Sequence, residues 1–507
     1  MPPRRRSSRI PVADLIERSR SCPFPKVGRS DLRHTLRQGR LAMECTVADA
    51  LDAFSPVWEI VNPGLLVAPQ GSSGLPFLGH MLSFINDKYA FVAEHVKKYG
   101  PISRTVLFGG PAVIVVGHDL LNKILIKETG LLRQGYFKTI CQLLGPNSMN
   151  VMDGEEHVRL RKLMGPAFTK GGVYSYIPKI VRLAEEHCHE WAKKGSIVFT
   201  DEVRDYAFSV VSEAALGIEF PVGGWTKETV LRNFQFFASG IFTLGVDLPF
   251  TKFGRAMEAR RFLLKVVDKA VERVRGDPDI DSGLRAMLSA RDDDGNGLKK
   301  EQLQDTVLAL LFAGYDTTAS SGSLAMLQLA RHPEVWEKVK KEQEQILDHH
   351  GPEISAAAVE AMRYTEAVVR EAARVLPPAL GSVKVATRTF ELGGYRIPKG
   401  WQVYTATGFT GQLFDDRWPM DAEFRPERLL SGAGIDPSPD IVFGIGPHSC
   451  AGRLLSILEN KILLATLARG YDFEVLDAYP RIVSDPLPQP EDGLPILVKR
   501  RRDPSGR

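Results

Sequence analysis

The ten residues FGIGPHSCAG, 443–452, crowd three glycines and a proline around one cysteine, and the apolar run LLSILENKILLATLARG follows at once. That run reads as a helix stopped by Gly470. Any fold that accepts this segment must hold a thiol in a tight turn at the start of a long helix.

A phosphate-cradling loop would need G-x-G-x-x-G, but Gly444 and Gly446 are followed by Ser449 in the third place, and Gly452 comes three residues late. A zinc site could use His448 and Cys450, yet no second close Cys or His pair completes four ligands. A third reading is one thiolate as the only protein ligand of a metal already held by another ligand set, the condition of haem iron. The glycines would then let the backbone pass close to a flat porphyrin and aim N–H groups at the sulfur. The helix N-terminus would favour the thiolate form. A buried structural cysteine in a glycine-rich turn stays open on this loop alone.

The rest of the chain bounds the answer. With 507 residues, 44% hydrophobic and 25% charged, it can bury a large core as one big domain or two close-packed ones. Residues 1–40 carry eleven Lys/Arg against three acids, so the +4 formal charge leaves the body at about −4, which argues against nucleic-acid binding. The five cysteines, Cys22, Cys45, Cys141, Cys188 and Cys450, are odd in number and far apart, which fits a reducing compartment. No window reaches the ~18 apolar residues of a membrane-spanning helix; the longest candidate, from Val307, is interrupted by Asp316. The Arg-, Ser- and Pro-rich N-terminus reads as a transit segment for a plastid or mitochondrion, or as a disordered basic arm of a cytoplasmic protein. Asp14, Glu17 and Asp31 weigh against transit.

We expect 1–70 to be that arm, 71–500 one catalytic body and 501–507 a basic tail. AFVAEHVKKYG reads as a helix ending at Gly100, and ISRTVLFGGPAVIVVG as two β-branched runs joined by a turn. Leu120 to about Gly381 is mostly helical in pattern, and strands return in VATRTFELGGYRIPKGWQVYTA. The fold class is mainly α with a smaller β part.

Three further segments stand out. LLFAGYDTTAS lies in a helical run from about Glu301 to Arg331, and an acid followed by two hydroxyls is poor for mid-helix propensity. Such local violations mark functional sites, although an exposed polar patch would explain it equally. In EAARVLPP, Glu371 and Arg374 share a helix face; E-x-x-R recurs at Glu17/Arg20, Glu258/Arg261 and Glu360/Arg363, so only context singles this copy out. In DGEEHVRLRKLMGPAFT, His157 and Arg161 lie on one helix face, where a solvated surface is the bland reading. DDDGNG from Asp292 imitates a calcium loop, but its twelfth position is Leu303 rather than Glu, so we read a solvated turn.

Taken in order, these segments resemble the cytochrome P450 superfamily over residues 71 to 500. The loop Phe443-Gly-x-Gly-x-His-x-Cys450-x-Gly452 is similar to that family's cysteine-ligand loop, with His448 where many members have Arg. The resemblance implies the P450 fold, a large helical domain and a small β-rich one around haem b with Cys450 as axial ligand. It implies that Ala313 and Gly314 leave room over the haem and that Asp316 and Thr317 relay protons to dioxygen. Glu371, Arg374 and Arg428 of FRPERL would form a buried structural network. His157, Arg161, His448 and Lys384 would meet the haem propionates, with Arg388 as a rival to Lys384. Phe443 would lie against the cofactor. The stretch TATGFTGQLFDDRWP departs from the pattern by lacking a His that many relatives carry there.

The family chemistry implies O2 activation by thiolate-ligated iron and insertion of one oxygen atom into a hydrophobic small molecule. Phe137, Phe242, Phe312, Ala379, Leu380 and Val383 are the expected pocket residues. FTLGVDLPFTKFGRAMEAR and TFELGGYRIPKGW are similar to the retinoid-hydroxylating branch and its soluble cyanobacterial-type relatives, while sterol and terpenoid hydroxylases share much of the pattern. Electrons would come from a separate ferredoxin-type donor or a flavoprotein reductase. The alternatives are a peroxide-rearranging haem-thiolate enzyme and a non-enzymatic haem sensor.

Overall fold

The computed structural model describes residues 67–501 apart from 76–78, 108, 242, 244, 414–422, 431–437 and 485–486. Most of the expected arm, Phe242 and residues 502–507 therefore lie outside the described residues. Gln70 accepts from the Arg104 amide, and the Arg501 amide donates to Gly470, so both ends of the described chain are tied into the folded body.

The β part is built around one five-stranded sheet. Strands β1 (Ile102–Leu107) and β2 (Gly110–Val115) form the expected hairpin. Helix α1 (Lys88–Tyr99) precedes it, started by the Asp87 carboxylate accepting from the Ala90 amide and ended at Gly100. Three more strands join: β3 (Leu132–Gln134), β5 (Ser382–Ala386) and β6 (Gln402–Thr405), in the order β1-β2-β6-β5-β3. Only the β2–β6 pairing is parallel. A second sheet sets β9 (Pro495–Arg500) between β4 (Ser196–Val198) and β7 (Tyr471–Val475). β3 and β4 interrupt the stretch read as helical; at three residues each they are too short to display a two-residue period.

The helices form the larger part. Helix α7 (Lys300–Arg331) runs through its middle, as the pattern from Glu301 to Arg331 predicts. Its first half, Leu303 to Tyr315, packs with α5 (Lys227–Ser239) and α6 (Lys252–Gly276) around Phe234 and Phe237. Its second half, Ala319 to Leu329, packs with α3 (Ile177–Lys194), α8 (Arg363–Val375) and α9 (Arg453–Gly470) around Trp191. The polar run 316–318 falls at the seam between the two apolar clusters. Burial on both sides holds the helix where its own propensity is weak.

Helix α2 (Gly154–Phe168) is fixed to the turn that precedes α7. Arg159 Nε donates to the Asp292 carboxylate at 2.6 Å, and Lys162 meets Asp293 at 2.5 Å. The turn read from DDDGNG is present, with Asp292 engaged by protein rather than wholly solvated.

Candidate functional site

The cysteine turn is closed by its own backbone. The Cys450 amide donates to the Phe443 carbonyl at 2.7 Å, and the Ser449 amide to Gly446 at 3.0 Å. Gly444 and Gly446 hold φ of +74° and +77°, where side-chain-bearing residues are disfavoured. A Cβ on Gly446 would lie 2.2 Å from the Leu125 carbonyl oxygen. These two glycines thus answer to the turn and its neighbour.

Cys450 opens onto a cavity of about 360 Å³. Ala313, Gly314 and Thr317 of α7 line the same cavity; Phe443, His448 and Ala379 also line it, as do His157, Arg161 and Lys384. Ala313 and Cys450, exposed by area, owe that exposure to the cavity. Burial pushes the Cys450 thiol up, against the Gly452 amide and the Arg161 and Arg453 guanidinium groups, which favour the thiolate. The helix start alone does not make a thiolate here, so the charged form needs a cation on the cavity side.

One rim of the cavity is a polar chain that joins α2, the sheet and the cysteine turn. Lys384 Nζ donates to Gln134 Oε1 at 2.7 Å. Lys384 and Gln134 face each other in the β5–β3 register. With that oxygen occupied, the Gln134 amide nitrogen donates to His448 Nδ1 at 2.8 Å. His448 Nε2 then donates to Asp153 Oδ1 at 3.1 Å, which makes His448 the neutral Nε2–H tautomer in this network. Asp153 is the N-cap residue of α2 but caps nothing with its side chain, which also accepts from the Gln134 amide at 2.8 Å. Burial works against the Asp153 carboxylate, but the hydrogen bonds from His448 and Gln134 outweigh it and hold its pKa below the ordinary value.

His157 stacks on His448 with ring centroids 3.8 Å apart. Burial, with His448 and Arg161 nearby, lowers its imidazole to about 4. Burial also lowers the Lys384 ammonium to about 8, with Asp153 opposing. Arg161 reaches the turn itself: Nη1 donates to the Ser449 carbonyl at 2.6 Å and Nη2 to the Ser449 hydroxyl at 3.2 Å. Arg388 lies in an exposed bend outside the cavity, so Lys384 is the cation that borders it.

The three polar residues of α7 point in different directions. The Thr317 hydroxyl donates back to the Ala313 carbonyl, a bond that competes with helix geometry. Thr318 donates to Glu459 of α9 at 2.8 Å. Asp316 is not in the cavity wall; its carboxylate accepts from Arg204 Nε of α4 (Phe199–Ser209) at 3.1 Å. Arg204 in turn donates to Gln489 of β8 (Pro488–Pro490) at 2.5 Å. Burial raises the Asp316 carboxyl and Arg204 partly offsets this.

Behind the turn, Glu371 is fully buried. Arg374 Nε and Nη2 grip its two oxygens at 2.9 Å each, and Arg428 Nε donates to Oε1 at 2.7 Å. The Arg425 amide adds a fourth bond at 3.0 Å. Both arginines also donate to the Glu423 carbonyl, at 3.1 and 2.9 Å, which ties α8 to the segment leading into the cysteine turn.

The apolar pocket residues fare less well. Ala379 lines the cavity, but Phe312 packs edge-on against Phe237 in the helical core, 6.1 Å between centroids. Leu380 is buried in the apolar cluster beneath the sheet, with Val383 against it. Phe137 is 38% exposed at a helix start, outside the cavity. The cavity wall instead uses Tyr136, Phe168, Val211 and Leu310. Gln134, Asp153, Ser449 and Glu459 were not singled out by sequence; Asp153 alone carried a signal, as the acid opening DGEEH.

Comparison with known proteins agrees with this geometry. Residues 69–494 match the sequence model of the family described as cytochrome P450. The chain is 31% identical over 446 residues to cytochrome P450 26B1 of Danio rerio, covering 85% of this chain and 86% of that protein. It is 30% identical to putative cytochrome P450 120 of Synechocystis sp., covering 86% and 98%. Among solved structures it is similar to retinoic acid-bound cyanobacterial CYP120A1, with a TM-score of 0.76, 28% identity, and coverage of 86% of this chain and all of that one. With a cysteine turn opening on a cavity beneath the central helix and a family match across nearly the whole described body, the chain belongs to the cytochrome P450 family, haem monooxygenases whose haem b is held by a cysteine thiolate.

Proposed function

We propose that this monooxygenase hydroxylates a hydrophobic retinoid- or carotenoid-derived small molecule, with electrons from a separate ferredoxin-type donor. The observation that carries the reading is the likeness, over the full length of that chain, to the retinoic acid-bound CYP120A1. Largely apolar cavity walls at Phe168, Val211, Leu310 and Ala379 support a hydrophobic substrate.

The residues fit haem b. One thiol faces the cavity, and the buried Lys384 ammonium has no carboxylate at ion-pair distance among the described residues, so the site is short of an anion. In this proposal Cys450 holds the iron. Lys384 and Arg161 would receive the propionates, and His448, His157, Phe443, Ala313 and Gly314, which line the same cavity, would complete the seat. Bound haem supplies O2 activation for insertion into unactivated carbon. Thr317 orients a proton donor in the cavity, and Asp316 brings protons inward once its carboxyl parts from Arg204. The apolar walls exclude bulk water.

Titrating the haem-loaded protein with retinoic acid should give a saturable Soret shift, and turnover should give a hydroxylated product. A sterol that binds and reacts while retinoic acid does neither would overturn the substrate. Thr317→Ala should keep the Soret shift but lower product formed per O2 consumed several-fold, read with an oxygen electrode and product assay. Unchanged coupling would count against the role given to Thr317.

A further inference from the structure

The sheet side of the cavity carries hydroxyls that the haem seat leaves unused. Ser382 opens β5 and faces Thr405, at the end of β6, in the strand register; both line the cavity. The Thr405 hydroxyl donates to the Ser382 carbonyl at 3.1 Å, and the two hydroxyl oxygens lie 2.9 Å apart. With the single Thr405 proton spent on the carbonyl, the bond between the hydroxyls takes its proton from Ser382. Ser382 Oγ is thereby left as an acceptor with no proton to give.

Thr407 lines the cavity two residues further on. The next amide, that of Gly408, donates to the Leu380 carbonyl at 3.2 Å, which keeps Thr407 beside the strand end that bears Ser382. Thr407 is 8% exposed, yet among the described residues its hydroxyl has no partner. A buried hydroxyl of this kind calls for a polar group in the cavity.

Charge narrows what that group can be. Haem brings two propionates, and the two cationic side chains of the cavity wall, Arg161 and Lys384, are the ones that would take them. The histidines are neutral: burial lowers His157 to about 4, and His448 is spent between Gln134 and Asp153. Tyr136, Cys450 and Glu459, the other ionisable groups of the wall, offer no positive charge. Tyr404, on the strand paired with Ser382, is buried with its phenol raised above the ordinary value, and stays neutral. Among the described residues no cation is left in the wall for a substrate carboxylate, whose burial without one is costly.

An alcohol fits, since its proton goes to Ser382 Oγ and its oxygen accepts from Thr407. We propose that Ser382, oriented by Thr405, and Thr407 form a polar subsite that selects a neutral, hydroxyl-ended polyene over the corresponding carboxylate; this rests on the retinoid- or carotenoid-derived reading above. A carboxylate can accept from Thr407 but has no proton for Ser382, so an acid enters only in its neutral form.

The test titrates haem-loaded wild type, Ser382→Ala and Thr407→Val with retinol, with retinoic acid and with the hydrocarbon that lacks the hydroxyl, following the Soret shift. Between about pH 6 and 8, retinoic acid affinity should fall by about tenfold per unit as its carboxyl ionises, while retinol affinity stays flat. Ser382→Ala should weaken retinol by about fivefold, the worth of one hydrogen bond, and leave the hydrocarbon unchanged. A retinoic acid affinity that is flat with pH, or retinol weakened no more than the hydrocarbon, would overturn the proposal. If Ser382→Ala folds poorly, Thr407→Val decides by the same comparison of retinol with hydrocarbon. Failure of the underlying reading has a different signature: a wild type that a sterol shifts while none of the three polyenes does.

Discussion

Cys450→Ala protein should fold, yet its dithionite-reduced form should lack the strongly red-shifted carbon monoxide band of the wild type and show no monooxygenase turnover. The turn survives the change because its closing bonds are backbone ones, from the Cys450 amide to Phe443 and from the Ser449 amide to Gly446. Arg161 likewise grips Ser449 rather than the sulfur. Among the described residues no second thiol can take over: Cys188 is buried beside Trp191 in the helical core, and Cys141 lies outside the cavity wall. The effect on turnover is complete rather than graded, since thiolate donation to the iron is what favours O–O cleavage. A mutant that kept the red-shifted band would remove Cys450 from the ligand role.

The second large effect concerns stability. Arg374→Ala leaves Glu371 fully buried without the two guanidinium bonds from Arg374, keeping the one from Arg428. Breaking a buried pair from one side costs about 3–5 kcal/mol, against a total stability of roughly 5–15 kcal/mol for a folded domain. We expect little soluble haem-loaded protein and a clear fall in thermal midpoint. Arg374→Lys should rescue only part, because an ammonium cannot grip both oxygens at 2.9 Å as the guanidinium does. A wild-type midpoint in Arg374→Ala would show that Arg428 and the Arg425 amide suffice.

Residues close together in sequence, with a chemical oddity among them, could be read before any coordinates. The thiol among glycines, the acid and hydroxyls inside a helix, and the glutamate three before an arginine all belong to this group. What could not be read depends on strand register and on which side of a packed helix faces a void. Gln134 joins the site only because a three-residue strand pairs it with Lys384. Glu459 sits in a run whose hydrophobic pattern describes a core helix equally well. Phe312 and Leu380 show the converse: an apolar side chain near a site has the same signature whether it meets a ligand or a neighbour. Arg204 could not be assigned to Asp316 because 112 residues separate them.

The clamp from Arg161 to Ser449 spans 288 residues, and the bond from Gln134 to His448 spans 314. At about 5–20 residues per second, the ribosome needs roughly 15–60 s between making one jaw of the cofactor seat and the other. During that interval α2 exists with its cationic face unmatched, and the chain cannot retain haem however well its helices have formed. Cofactor capture is thus a late event in the life of each molecule, and nascent chains arrested before Ser449 should emerge colourless even when haem is abundant.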